Sequence, residues 1–353
     1  MTLTRQVVFW SVALAALLLF VFVFSEILLP FVAGMALAYA LDPIADRLEQ
    51  LGLNRLGATL AILVLMIVFV ALVLILLAPL LLRQLAEFIE GVPGYIEKLQ
   101  SLLSSALHSR ISDYLGIDLS DIGSSLAGMT GEAAGWLGTL VSSLWSGGRA
   151  VLNIVSLIVI TPIVAFYLLY DWDRLIEQID SLLPRDHVDE IRQIARDIDQ
   201  AIAAFVRGQG LVSLIMAAFY STGLVLVGLN FGFLIGLVAG LLGFIPFVGA
   251  LIGLFVSLAV ALAQFWPDWV WIAVTLSIFL VGQAIENNFL QPRLIGQNVG
   301  LHPVWVIFAL LAFGYLFGFV GVLLAIPAAA AVGVLVRHGL KRYRDSPIYR
   351  GGS

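Results

Sequence analysis

The sequence predicts an all-α integral membrane protein with about eight membrane segments, and three observations carry that prediction. Of 353 residues, 61% are hydrophobic and only 12% charged, against roughly a quarter charged in an ordinary soluble domain. The apolar residues come in long blocks instead of a helical stripe, so the segments are greasy on every side and suited to lipid. Two of these blocks, 231–264 and 303–337, are interrupted by glycine and proline and not by charge.

The same composition removes several function classes. The chain has no cysteine, so disulfides, thiolate metal sites and cysteine nucleophiles are excluded. Its lysines, Lys98 and Lys341, follow no glycine-rich turn, and the phosphate-cradling loop of an ATPase is missing. His108, His187, His302 and His338 are scattered, with no second metal ligand at helical spacing. Neither a Gly-x-Ser-x-Gly elbow nor a His-Glu-x-x-His helix occurs. A net charge of -5 gives no reason to expect nucleic acid. The expectation is a protein that is not an enzyme, with no catalytic residue, cofactor or metal, whose first partner is the lipid bilayer.

A helix rises about 1.5 Å per residue, so roughly 20 apolar residues cross a hydrocarbon core about 30 Å thick. Spans follow at about 7–24, 26–41, 57–81, 151–170, 208–228 and 269–286. The opening run, about 7–41, is too long for the core of a signal peptide, despite the small residues Ala38 and Ala40. It reads as two spans that turn at Glu26 beside Pro30. Residues 1–81 then hold the N-terminal membrane segments, and 82–150 an extramembrane helical and loop region predicted outside. The span 151–170 leads to a cytoplasmic amphipathic helical region, 171–207, broken at Pro184. The C-terminal membrane core is 208–337, and 338–353 is a basic cytoplasmic tail. A short polar loop, 42–56, carries Asp42, Pro43, Asp46, Arg47 and Arg55.

Sidedness follows from positive charge near the segment ends. The tail with Arg337, Lys341, Arg342, Arg344 and Arg350, and the region with Arg174, Arg185, Arg192, Arg196 and Arg207, are both placed inside. Both termini are then cytoplasmic.

Blocks 231–264 and 303–337 are each too long for one upright helix. The first carries the helix-break candidates Pro246 and Gly249, the second Gly321 and Pro327. Two readings stay open: small residues that let tilted helices pack closely, or blocks that break midway and fold back as re-entrant hairpins. Unwound backbone at membrane depth must be buried in protein or line a wet cavity, so such breaks would mark a pathway.

Between Gly208 and Val336 the charged residues are Asp268, Glu286 and Arg293. Asp268 lies among Trp266, Pro267, Trp269 and Trp271 and reads as an interfacial turn. Gln283, Glu286 and Asn287 share one helical face by their i, i+3, i+4 spacing, with Asn288 and Gln291 close behind. A carboxylate at mid-depth costs about 2.5–3.5 kcal/mol and should face a partner or a water-filled cavity. Glu286, Asn287, Asn288, Gln291, Arg293 and Gln283 are therefore candidates for a solute path. Arg207 and Gln209, at the start of the 208–228 span, join them, with headgroup anchoring as the plainer reading of Arg207.

Several motifs resemble the autoinducer-2 exporter family of bacterial permeases. They are Pro30-Phe31-Val32-Ala33-Gly34 with Ala38-Tyr39-Ala40-Leu41-Asp42-Pro43, then Arg207-Gly208-Gln209, then Gly243-Phe244-Ile245-Pro246-Phe247-Val248-Gly249. Glu286-Asn287-Asn288 through Gln291-Pro292-Arg293-Leu294-Ile295-Gly296 to Leu301-His302-Pro303 completes the series, so the resemblance covers nearly the whole chain in order. It implies a bacterial inner-membrane protein that exports a small molecule without ATP, as a homo-oligomer by analogy. Three functions are open at this point. The first is a permease for a small polar solute, the second a sodium or other cation/proton antiporter using Glu286, and the third a membrane scaffold or envelope-interaction protein.

Overall fold

The computed structural model describes residues 27–110, 148–185, 188–295 and 302–350, with 19–24 and positions 8, 12 and 16 nearer the N-terminus. The expected turn at Glu26, most of the first span, the stretch 111–147, His187 and residues 296–301 lie outside the described residues.

Among the described residues the elements are helical, with no strand. They are α1 (Leu29–Gln50), α2 (Arg55–Arg110), α3 (Gly148–Ser181), α4 (Val188–Leu226), α5 (Gly232–Leu242), α6 (Val248–Phe265) and α7 (Trp269–Ile285). A π-helical turn, Glu286–Leu290, leads into the short α8 (Gln291–Leu294), followed by α9 (Pro303–Asp345) and α10 (Pro347–Arg350). Seven of the described helices are long and apolar enough to cross a membrane, and α5 is a shorter apolar helix. The apolar stretch of α2 shows how these surfaces want lipid: Leu65 is 69% and Ile75 71% exposed, an arrangement that water would not tolerate over a whole helix.

The chain divides into two compact units. One comprises Met1–Val68, Val155–Leu211 and Gln291–Ser353, the other Phe69–Ile154 and Val212–Leu290.

In the first unit, α1 buries the small face Pro30, Gly34, Ala38 and Ala45. Gly34 lets α3 come close, since a Cβ there would meet Val164 at 2.7 Å, and the Thr161 hydroxyl donates to the Pro30 carbonyl at 3.3 Å. Residues 42–50, expected as part of a loop, are helical instead, and the connection shrinks to 51–54. The reason is electrostatic. Asp42, Asp46 and Glu49 recur at helical spacing, and Arg55 at the start of α2 reaches all three, at 2.9, 2.9 and 3.3 Å. The same guanidinium donates to the Leu169 carbonyl of α3 at 2.8 Å, so one side chain ties three helices together.

Block 303–337 falls in this unit and is not one straight helix. Gly318 stands at φ 59°, ψ -142° inside α9, a region open essentially to glycine. The chain reverses there: Gly321 backs onto the Phe313 carbonyl, and a Cβ on Gly314 would lie 3.0 Å from Val322. Residues eight apart in a continuous helix stand about 12 Å apart along its axis, so these contacts describe a fold-back.

In the second unit, block 231–264 is a helical hairpin. Helices α5 and α6 are joined by residues 243–247 and pack on each other, with Gly249 against the Ala239 carbonyl and Gly253 against the Ala239 side chain. Helix α5 also packs on the second half of α4, where Gly232, Gly236 and Gly240 meet Leu224, Ser221 and Ala217 in turn. Those pairs run in opposite directions, so the two helices are antiparallel. The turn between them is pinned from two sides. Gln264 accepts from the Asn230 backbone and donates to the Gly228 carbonyl, both at 2.8 Å. From α2, Gln84 accepts from the Leu234 backbone at 3.1 Å, and Tyr95 accepts from the Asn230 side chain at 3.2 Å.

Candidate functional site

Each unit carries a polar group, buried in the second and partly exposed in the first, built by different helices. In the second unit it forms where α7 ends. Glu286 opens the π-helical turn and is buried, at 9% exposure, and Gln283 donates to its Oε2 at 2.9 Å. The π turn widens the helix locally, a distortion found most often at functional sites. Asn288 donates to the Ala284 carbonyl at 2.9 Å within this turn. Both Asn287 and Asn288 are exposed, in contrast to Gln283 and Glu286.

Two residues not singled out from the sequence complete this group. Tyr220 of α4 is 1% exposed and stacks on Phe279 with ring centroids 4.6 Å apart. Its phenol lies across Gly282, where a Cβ would stand 2.8 Å from the hydroxyl oxygen. That hydroxyl lies beside Gln283, within electrostatic reach of Glu286, yet short of hydrogen-bond geometry. Gly223 meets Ile278 while Tyr220 meets Gly282, so α4 and α7 run antiparallel. By this register Ser213, two turns before Tyr220, falls level with the π turn. Its hydroxyl is also buried and makes no hydrogen bond. Such groups cost about 1–3 kcal/mol each when left unsatisfied. A sequence signal was present, since Gln209, Ser213 and Tyr220 share one face of α4 by their i, i+4, i+11 spacing.

In the first unit, α1, α3 and α4 enclose a cavity of about 60 Å³, lined in part by Tyr39, Asp42, Trp172, Asp199 and Arg207. Arg207 donates to the Tyr39 carbonyl at 2.7 Å and stands 4.0 Å from Asp42, while the Tyr39 hydroxyl donates to Asp199 at 3.0 Å. The motifs around Tyr39 and Arg207 therefore meet in space. Gln209 is buried at 2% exposure. Gly208 faces the Leu294 carbonyl at the end of α8, where a Cβ would come within 2.6 Å, so this contact requires glycine. Along α8, Gln291 is half-buried and Arg293 exposed.

The helix-break candidates sit as follows. Pro246 lies in the 243–247 connection, and Gly249 begins α6 against the turn it leaves. Gly321 is packed at the reversal whose hinge is Gly318, and Pro327 lies inside the helical run of α9. Among the described residues, no group of three His, Cys, Asp or Glu side chains could hold a metal ion.

A long apolar helical chain with small-residue crossings, two broken blocks and buried polar groups has the anatomy of a permease. The family model described as AI-2E family transporter matches residues 11–341. The chain belongs to the AI-2E transporter family. Among its relatives in that family is YrrI of Bacillus subtilis (strain 168), whose name proposes a transport protein. It is 28% identical over 322 residues, covering 90% of this chain and 88% of the relative. PerM of Escherichia coli (strain K12), whose name proposes a permease, is 28% identical over 319 residues, covering 90% and 88%. YueF of Bacillus subtilis, likewise named for transport, is 25% identical over 348 residues, covering 94% and 92%. This AI-2E family member is thus a multi-pass membrane protein of a bacterial permease family.

Proposed function

We propose that the protein moves a small polar solute across the bacterial inner membrane by secondary transport, without ATP, and that Gln283, Glu286, Tyr220 and Ser213 line its path. The observation that carries this reading is the pair of buried hydroxyls that make no hydrogen bond beside a buried carboxylate. Structure alone gains nothing from such groups, whereas a passing solute or its water can satisfy them in turn. Asn287 and Asn288 continue the path on the exposed side of the π turn, and within the first unit Gln291, Arg293, Arg207 and Gln209 are proposed as solute-path residues in their own right. The family name supports export of an autoinducer-2-like signalling molecule as the first substrate to try. The basic residues after Val336 support a cytoplasmic C-terminus, and the N-terminus is assigned to the same side.

One observation favours a second reading, cation/proton antiport: residues 212–290 contain Glu286 and Asp268 but no Arg or Lys, and a membrane carboxylate in such a stretch is suited to bind a proton or a cation in alternation. Purified protein in liposomes loaded with autoinducer-2 tests both readings. Efflux without ATP or an ion gradient, reduced by Glu286→Gln, supports the permease. Proton movement that requires sodium or another cation and is lost in Glu286→Gln supports the antiporter. No transport in either assay removes both and leaves a membrane scaffold.

A further inference from the structure

The second cavity of the first unit lies away from these polar groups. It holds about 570 Å³ between α4 and α9 and is lined by Gln193, Asp197, Gln200, Val334, Arg337 and Lys341, among others. Its position along α9 is informative. Residues 319–336 carry no charge and rise about 27 Å, close to the thickness of the hydrocarbon core. Arg337 is the first residue past that stretch and Lys341 lies one turn beyond it, so both cations stand at headgroup depth.

Nearby His338 and Arg342 of α9 and Arg350 of α10 are already engaged. His338 lies 2.8 Å from Glu190 and Arg342 3.0 Å from the same carboxylate, and Arg350 pairs with Asp345 at 2.6 Å. Asp197, on the opposite wall, accepts a hydrogen bond from Gln193 of its own helix at 2.7 Å. Arg337 and Lys341 show no ion pair among the described residues and face the cavity as free cations. The cavity-lining residues Val334, Arg337, His338 and Lys341 recur at i, i+3, i+4, i+7 along one face of α9, so the two cations are presented together at the end of that uncharged stretch.

From this arrangement we infer that the α4–α9 cavity binds the headgroup of an anionic phospholipid, its phosphodiester held by Arg337 and Lys341. Free phosphate would meet the same cations, but both stand at headgroup depth where lipid phosphates are concentrated, which is why the lipid is the committed ligand. Basic pockets between membrane helices are a recurrent way of holding such headgroups.

The test uses the full-length protein in neutral detergent, titrated with phosphatidylglycerol, with phosphatidylcholine and with inorganic phosphate, and read by native mass spectrometry. Two cations facing an anionic headgroup predict a preference of roughly thirtyfold for phosphatidylglycerol over phosphatidylcholine. The preference should disappear in Arg337→Gln/Lys341→Gln and survive in Arg350→Gln. It should also fall as salt is raised in the unmodified protein, a readout that does not depend on how any variant folds. Equal binding of the two lipids, a preference untouched by the double substitution or by salt, or saturation by inorganic phosphate at the lipid concentration would each overturn the assignment.

Discussion

Replacing Gly240 with alanine probes the crossing that sets α5 against α4. A Cβ at this position would sit on the Ala217 backbone, and 2.6 Å from the Ala217 side chain. Backbone atoms cannot rotate aside, so the helices must part, and overpacking of this kind costs about 1–3 kcal/mol. Alanine recovers about 1 kcal/mol of helix propensity over glycine. The net expectation is a loss of up to about 2 kcal/mol. Gly210 supplies the control, because nothing lies within 4 Å of a Cβ built there; Gly210→Ala should keep the propensity gain. In reversible unfolding by SDS from mixed micelles, Gly210→Ala should be stabilised and Gly240→Ala should fall below it by the overpacking cost, about 1–3 kcal/mol. Equal shifts would refute the close α4–α5 packing.

Further predictions follow from single contacts. Gly318→Ala should destabilise by about 1–3 kcal/mol in the same unfolding assay purely through backbone strain, since a Cβ at 318 has nothing within 4 Å to clash with. Arg55→Gln leaves Asp42, Asp46 and Glu49 without their shared cation and should cost about 1–3 kcal/mol, discounted for the partial exposure of the carboxylates. Asp42→Asn in the same chain should recover part of that loss, and strict additivity would contradict the clamp. Tyr220→Phe removes a hydroxyl that makes no hydrogen bond, so thermal stability should hold or rise while solute efflux falls; a destabilised variant with normal efflux would point to a packing role instead.

The membrane class of the fold was legible because apolar blocks without charge admit one solvent, and Pro246 and the surrounding glycines pointed at the first reversal. The second reversal was harder to locate. Gly314, Gly318 and Gly321 look alike in sequence, and the positive φ that distinguishes Gly318 arises only once both arms pack. Charge at a helix end reads in sequence as loop, yet Asp42, Asp46 and Glu49 stay helical because Arg55, distant by a turn and a connection, neutralises them. Glu286 and Gln283 stood out through their rarity in an apolar segment. Tyr220 and Ser213 did not, since a tyrosine and a serine in a span pass for ordinary packing until their hydroxyls are found buried without hydrogen bonds. Tyr39 and Asp42 read in sequence as motif and loop, and the meeting of Tyr39 with Arg207 depends on a separation of 168 residues along the chain.

The most direct test asks whether the polar group between α4 and α7 is reached by water. The chain has no cysteine, so Ser213→Cys introduces a unique thiol at a position that is 4% exposed. In intact membranes, a small charged methanethiosulfonate should label this thiol as the transporter cycles, and added autoinducer-2 should slow the labelling. A thiol that stays inert until the protein is unfolded in SDS would mean the group is sealed in dry packing and lies on no solute path.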